Sequence, residues 1–230
     1  MTVRRDGTYV WATWLSRLMA GDSSCEWGAW FKSHFQGYAK APSDFDLAAW
    51  TIKHTRLLRE LRIERQAAGD QILIEEQTQF YYERPSTGLV VSGKPDLLTI
   101  SGDTVWVYDA KTGQPRTGDT VQVMIYMYCT PRTNPAFQTK TLKGVVVYEN
   151  NRVEIPPSAI NAEFERNFNY FLDILDSDIE PTRAWGRQSL TVPRWGGLLL
   201  ASVAPPLSIV SMQRCGAKSV HHRTSQLPLF

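Results

Sequence analysis

Gly93-Lys94-Pro95-Asp96, then Asp109-Ala110-Lys111, then Gln122-Val123-Met124-Ile125-Tyr126, follow one another in the middle of the chain. On a strand, side chains two residues apart share a face, so Asp109 and Lys111 point the same way. Val105-Trp106-Val107-Tyr108 before them has a buried-strand composition, which puts the pair where a core strand emerges. Gly102-Asp103 reads as a hairpin turn that brings the preceding strand, and with it Asp96, alongside. That strand, Leu89 to Ile100, is interrupted by Gly93-Lys94-Pro95, and proline is tolerated in a strand only at an edge or a bulge. Bulges re-aim side chains beside active sites. Two converging carboxylates form a hard oxygen site for Mg²⁺ or Mn²⁺, and a neighbouring lysine can orient water and stabilise charge on phosphorus. An isolated Asp-x-Lys is more often a solvent-facing charge pair; the buried strand and the bulge set this one apart.

Working outward, Gln71 to Tyr82 also has strand composition. Before it, Asp44 or Asp46 caps a long helix that runs to about Ala68 and ends at Gly69-Asp70. Tyr9 to Tyr38 reads as one or two short helices with a turn at residues 21–24. After the Asp-x-Lys strand, Thr112 to Gly118 is a loop. Asp119 or Thr120 opens a helix that Pro131 stops. Gly144 to Tyr148 is a short buried strand, Asn150-Asn151 a turn, and Ser158 to Leu175 an amphipathic helix. The order predicts an α/β fold: a mixed central β-sheet flanked by helices.

The series Gly-x-Pro-Asp, Asp-x-Lys, Gln-x-x-x-Tyr resembles the RecB-like branch of the PD-(D/E)xK nucleases, which includes CRISPR-associated exonucleases. The resemblance spans residues 16–175 and implies a restriction-endonuclease-like core and metal-dependent hydrolysis of DNA. It implies catalytic roles for Asp96, Asp109 and Lys111. It adds His54, on the helix upstream, as a metal ligand, together with the carbonyl of Ala110. It puts Gln122 and Tyr126 near the active site and in contact with DNA, although packing explains Tyr126 equally well. One of Glu75 and Glu76 matches an acidic position on the family's first strand, and alternation favours Glu76. Many relatives bind an iron–sulfur cluster through one early cysteine and a late group of three. Cys25 stands in the early place, but Cys215 is alone, so a four-thiolate cluster is not expected. Cys25 and Cys129 then read as buried apolar residues.

Three widely spaced cysteines fit a reducing, cytoplasmic compartment, and no apolar run is long enough for a membrane partner. The residues divide into a nuclease domain, 1–180, and a basic tail, 181–230, expected to be partly disordered. The tail has no acidic residue and carries +6 against +2 for the whole chain, which leaves the domain at −4. Such a tail suits a polyanion such as DNA. It ends in Gln226-Leu227-Pro228-Leu229-Phe230, where Gln226, Leu227, Leu229 and Phe230 resemble the anchors of a bacterial sliding-clamp-binding peptide. His221-His222 in such a tail cannot preorganise a metal site. The expected activity is a DNA exonuclease of repair, recombination, replication or phage and CRISPR processing. The rival readings are a non-catalytic or partner-dependent scaffold of the same fold tethered to a clamp and, behind it, a sequence-specific endonuclease.

Overall fold

The structure, a computed structural model, describes residues 1–23, 25–40 and 42–181. The basic tail with its clamp-like ending, Cys215 and His221-His222 lie outside the described residues.

In chain order the elements are β1 (Val3–Arg4), β2 (Tyr9–Trp11), α1 (Ala12–Met19), α2 (Glu26–His34), β3 (Phe35–Gln36), α3 (Leu47–Ala67), β4 (Gln71–Ile74), β5 (Phe80–Glu83), β6 (Val90–Gly93), β7 (Leu97–Ser101), β8 (Thr104–Lys111), α4 (Thr117–Thr133), β9 (Thr141–Tyr148), β10 (Arg152–Ile155) and α5 (Ala162–Asp176). A five-stranded mixed sheet has the order β10-β9-β8-β7-β4, and a three-stranded sheet has the order β2-β6-β5. Strand β8 is antiparallel to β7 and parallel to β9. A mixed sheet flanked by helices is the architecture expected from the sequence.

The alternation of β8 fixes the layers. Val105 and Val107 join one core, with Met124 and Ile125 of α4 and Phe164 and Phe168 of α5. Tyr108 and Ala110 face the opposite side and pack with Leu57 and Leu61 of α3. Complete burial of such a leucine contributes about 1.5–3 kcal/mol, so two leucines anchor α3 to the sheet.

The two predicted strands that flank residues 83–89 each prove to be a pair of shorter ones. Ile74 pairs with Leu97 in the larger sheet, whereas Phe80 pairs with Gly93 in the smaller one. Both strands therefore change sheets at the same level. On one side the change is a single 3-10 turn, Glu75–Thr78; on the other it is Lys94-Pro95-Asp96. The Thr78 hydroxyl donates to the Pro95 carbonyl at 2.6 Å and ties the two bends together. Gly93 is needed here, because a Cβ would lie 2.5 Å from Phe80 Cζ and 2.6 Å from Tyr126 Cε1.

Other boundaries follow local chemistry. The Asp46 carboxylate accepts from the Ala49 amide at 2.9 Å and caps α3. Helix α3 ends before Gly69, at φ +81°. Helix α4 does not stop at Pro131 but runs through it to Thr133. The proline costs one amide donor in the last turn, and ten consecutive buried residues, Val121 to Thr130, hold the helix regardless. Its start is fastened from a distance, since Gly118 N donates to Asp22 Oδ2 at 2.9 Å. Strands β2 and β10 were not predicted, and the last helix begins at Ala162, capped by Asn161, after a 3-10 turn at Pro157–Ala159. Among the described residues, no helix is long and apolar enough to cross a membrane.

Candidate active site

The predicted residues meet at one end of the larger sheet, where β8 emerges between α3 and α4. Asp109 is the penultimate inward residue of β8 on the α4 side, following Val105 and Val107. It is only 3% exposed. Lys111 follows on the same face, and its Nζ is 2.6 Å from Asp109 Oδ2. That carboxylate oxygen is buried, and the Lys111 ammonium lies directly against it. Burial pushes the Asp109 carboxyl up, to about 7, against the opposing pull of Lys111. Burial would lower the Lys111 pKa, but Asp109 outweighs it and holds the ammonium above its ordinary value.

Asp96 comes from the bend between β6 and β7. Its Oδ2 accepts from the Ala110 amide at 2.7 Å and lies 3.3 Å from His54 Nε2. The strand pairing beyond the bend, Leu97 with Tyr108, sets this reach across to β8. His54, half-buried on α3, has its pKa raised chiefly by the hydrogen bond with Asp96. The charges of Asp109 and Lys111 also act on it, so α3 and the tip of β8 share one electrostatic neighbourhood. The Trp50 ring stacks on His54 at 4.7 Å between centroids.

Gln122 and Tyr126 are on the α4 side and are buried, at 6% and 3% exposure. The Gln122 carbonyl oxygen accepts from Lys111 Nζ at 3.1 Å, and its amide donates to Asp109 Oδ1 at 3.4 Å. The same amide bonds the Tyr126 hydroxyl. Of the two side chains expected to reach DNA, Gln122 thus bonds the Asp109–Lys111 pair and Tyr126 bonds Gln122. Burial raises the Tyr126 pKa well above the usual phenol value, which keeps the hydroxyl neutral.

Two expectations need correction. Glu76 is exposed on the 3-10 turn after β4. The strand ends at Ile74, so strand alternation does not govern residues 75 and 76. Cys25 is not a buried apolar residue: half-exposed, it is the N-cap of α2, with its sulfur accepting from Gly28 N at 3.3 Å. Cys129 is fully buried as expected. Residues missed by sequence reasoning are Asp119 and Tyr148. The Tyr148 hydroxyl donates to Asp119 Oδ2 at 2.9 Å, and Asp119 contributes to the fields at both Asp109 and Lys111. Their pairing across α4 and β9 has no local sequence signal.

Among the described residues, no three His, Cys, Asp or Glu side chains form a ready-made metal cage. A divalent cation of the Mg²⁺ type does not need one, since it keeps several waters and takes one or two carboxylates. The carboxylates of Asp109 and Asp96 are hard oxygen donors of the kind that suits such an ion, and the His54 imidazole lies 3.3 Å from Asp96. Lys111 meanwhile supplies the positive charge that Asp109 requires.

Among solved structures, the "Crystal structure of SSO0001" is similar at 17% identity, over 75% of this chain and 79% of that one, with a TM-score of 0.41. That likeness is too loose to carry an argument. No curated protein matches the sequence. The family model of the PD-(D/E)XK nuclease superfamily matches residues 12–184, which takes in β8, α4 and every residue of the described site. The chain belongs to the PD-(D/E)XK nuclease superfamily.

Proposed function

We propose that the chain is a divalent-metal-dependent deoxyribonuclease that hydrolyses phosphodiester bonds. The observation that carries this reading is the meeting of Asp96, Asp109 and Lys111 at one sheet end, with the Lys111 ammonium 2.6 Å from the buried Asp109 carboxylate. Asp96, Asp109, His54 and the Ala110 carbonyl would hold Mg²⁺ or Mn²⁺. The ion, when bound, would neutralise charge at the scissile phosphate and acidify water.

The protein's own groups have separable tasks. Lys111, as an ammonium, donates to the attacking water and to the phosphoryl oxygen on which charge develops. Gln122 holds Lys111 at a fixed angle, and Tyr126 holds Gln122. Asp96 is locked by the Ala110 amide, so its carboxylate needs no reorientation. We place the enzyme in the RecB-like branch and favour exonuclease action in DNA repair, recombination or phage DNA processing in the cytoplasm. The motif order and the upstream helical His54 support that placement. Gln226, Leu227, Leu229 and Phe230 would tether it to a sliding clamp.

End-labelled and circular DNAs, single- and double-stranded, test the proposal with Mg²⁺, Mn²⁺ or EDTA. Cleavage of linear substrates that needs metal and vanishes in Lys111→Ala is expected. Full activity of Lys111→Ala or Asp109→Ala would overturn the assignment, and cutting of circles would replace exonuclease with endonuclease.

A further inference from the structure

The leading half of α3 is the least covered part of the described fold. From Leu47 to Arg56 every residue is exposed except His54, which is half-buried. Four large apolar side chains cluster in or just before it: Phe45 at 60% exposure, Leu47 at 62%, Trp50 at 36% and Ile52 at 72%. Such a cluster costs solubility unless it meets something. Phe45 and Trp50 are neighbours, with centroids 6.2 Å apart and planes inclined at 52°. Trp50 also stacks on His54, the rings nearly parallel at 20°, and His54 Nε2 is 3.3 Å from Asp96. The aromatic surface is therefore continuous with the candidate active site through a single imidazole.

We propose that Phe45 and Trp50 form a stacking platform for unpaired bases of the strand whose phosphate lies at Asp96 and Asp109. The proposal rests on the nuclease reading and names its substrate form, single-stranded DNA. In a duplex, base faces are hidden by their neighbours, so only an unpaired base can lie on these rings. Stacking is tolerant of sequence because every base has a π face. Charge favours the same occupant: Lys53, three residues beyond Trp50, and Lys94, two before Asp96, are exposed cations within reach of a flanking backbone. Apolar rings beside cations match a strand of alternating bases and phosphates better than an apolar protein face.

Binding in EDTA separates this platform from catalysis. Fluorescence anisotropy of the full chain is measured with oligothymidylate and with an abasic oligomer of equal length, which keeps the phosphates and lacks the bases. Wild type should prefer oligothymidylate by about tenfold. The preference should fall towards unity in Phe45→Ala, which does not touch His54, and in Trp50→Ala. Trp50→Phe should retain most of it. An unchanged preference in both alanine variants would overturn the platform. So would a change in sedimentation of Phe45→Ala with unaltered oligonucleotide binding, since a second copy of the chain would then be the occupant. The two readings fail separately. Base-dependent binding without any metal-dependent cleavage would remove the nuclease and keep the platform; Lys111-dependent cleavage with no effect of Phe45→Ala would do the reverse.

Discussion

Helices α3 and α4 both deliver side chains to the same site, and they are held in opposite ways. Helix α4 is buried on every side from Val121 to Thr130; its Gln122 bonds both Lys111 and Asp109, and its Tyr126 bonds Gln122. Helix α3, four residues longer, buries only Leu57 and Leu61. Its one site residue, His54, reaches Asp96 from a half-exposed position. The lysine side of the site is thus preorganised by a packed core, where small displacements are costly. The histidine side is held by few contacts and is the side that can adjust to an arriving ion and strand. A group that acts on developing charge gains from rigidity; a ligand that closes over an ion does not require it.

The largest effect should come from the rigid side. Lys111→Ala is expected to lower kcat by about 10²–10³-fold in single-turnover cleavage, and also to lower the melting temperature in calorimetry while the chain still folds, because Asp109 is left buried without its counter-charge. A variant that unfolds would show the ion pair to be structural instead. Next, Gly93→Ala should cost about 1–3 kcal/mol in denaturant unfolding, because its Cβ would enter Phe80 and Tyr126. Unchanged stability would mean that the junction between the two sheets is softer than the packing implies. Gln122→Ala, which frees Lys111, should lower kcat by roughly tenfold or more, with KM nearly unaffected. An effect on KM alone would make Gln122 a substrate contact and break the comparison. On the looser side, His54→Ala should raise the Mg²⁺ concentration for half-maximal activity by about tenfold, with no change in melting temperature. Smallest of all, Ile63→Ala, on the exposed face of α3, should stay within about 0.5 kcal/mol of wild type.

Much of this site was legible because its signals are local. Asp109 and Lys111 are related by strand alternation, Asp46 by capping, and Gly102, at φ +57°, by turn chemistry. The chemistry-bearing residues also occur in the family's order, which pointed to His54 without any local cue. What stayed hidden depends on distant partners. Tyr9–Trp11 is a strand only because β6 pairs with it in parallel, eighty residues later. The switch between sheets at Glu75–Thr78 depends on Pro95 across the ladder. Pro131 was a sound reason to end α4, and burial of the ten residues before it was stronger. The inward aim of Gln122 was legible from the family's motif order and not from periodicity: a 3.6-residue period gives no preferred face when every face is covered.

The Gly102-Asp103 turn lies at the opposite end of β8 from Asp109, about 20 Å away at 3.3 Å per residue. Lys140 Nζ, from the residue just before β9, fastens it by contacts of 3.0 and 3.1 Å, while Asp103 remains almost fully exposed. It is therefore a natural anchoring point. A dye or bead linked there would sit on a stiff β-hairpin, leave the catalytic mouth facing the solution, and allow strand degradation to be followed one molecule at a time.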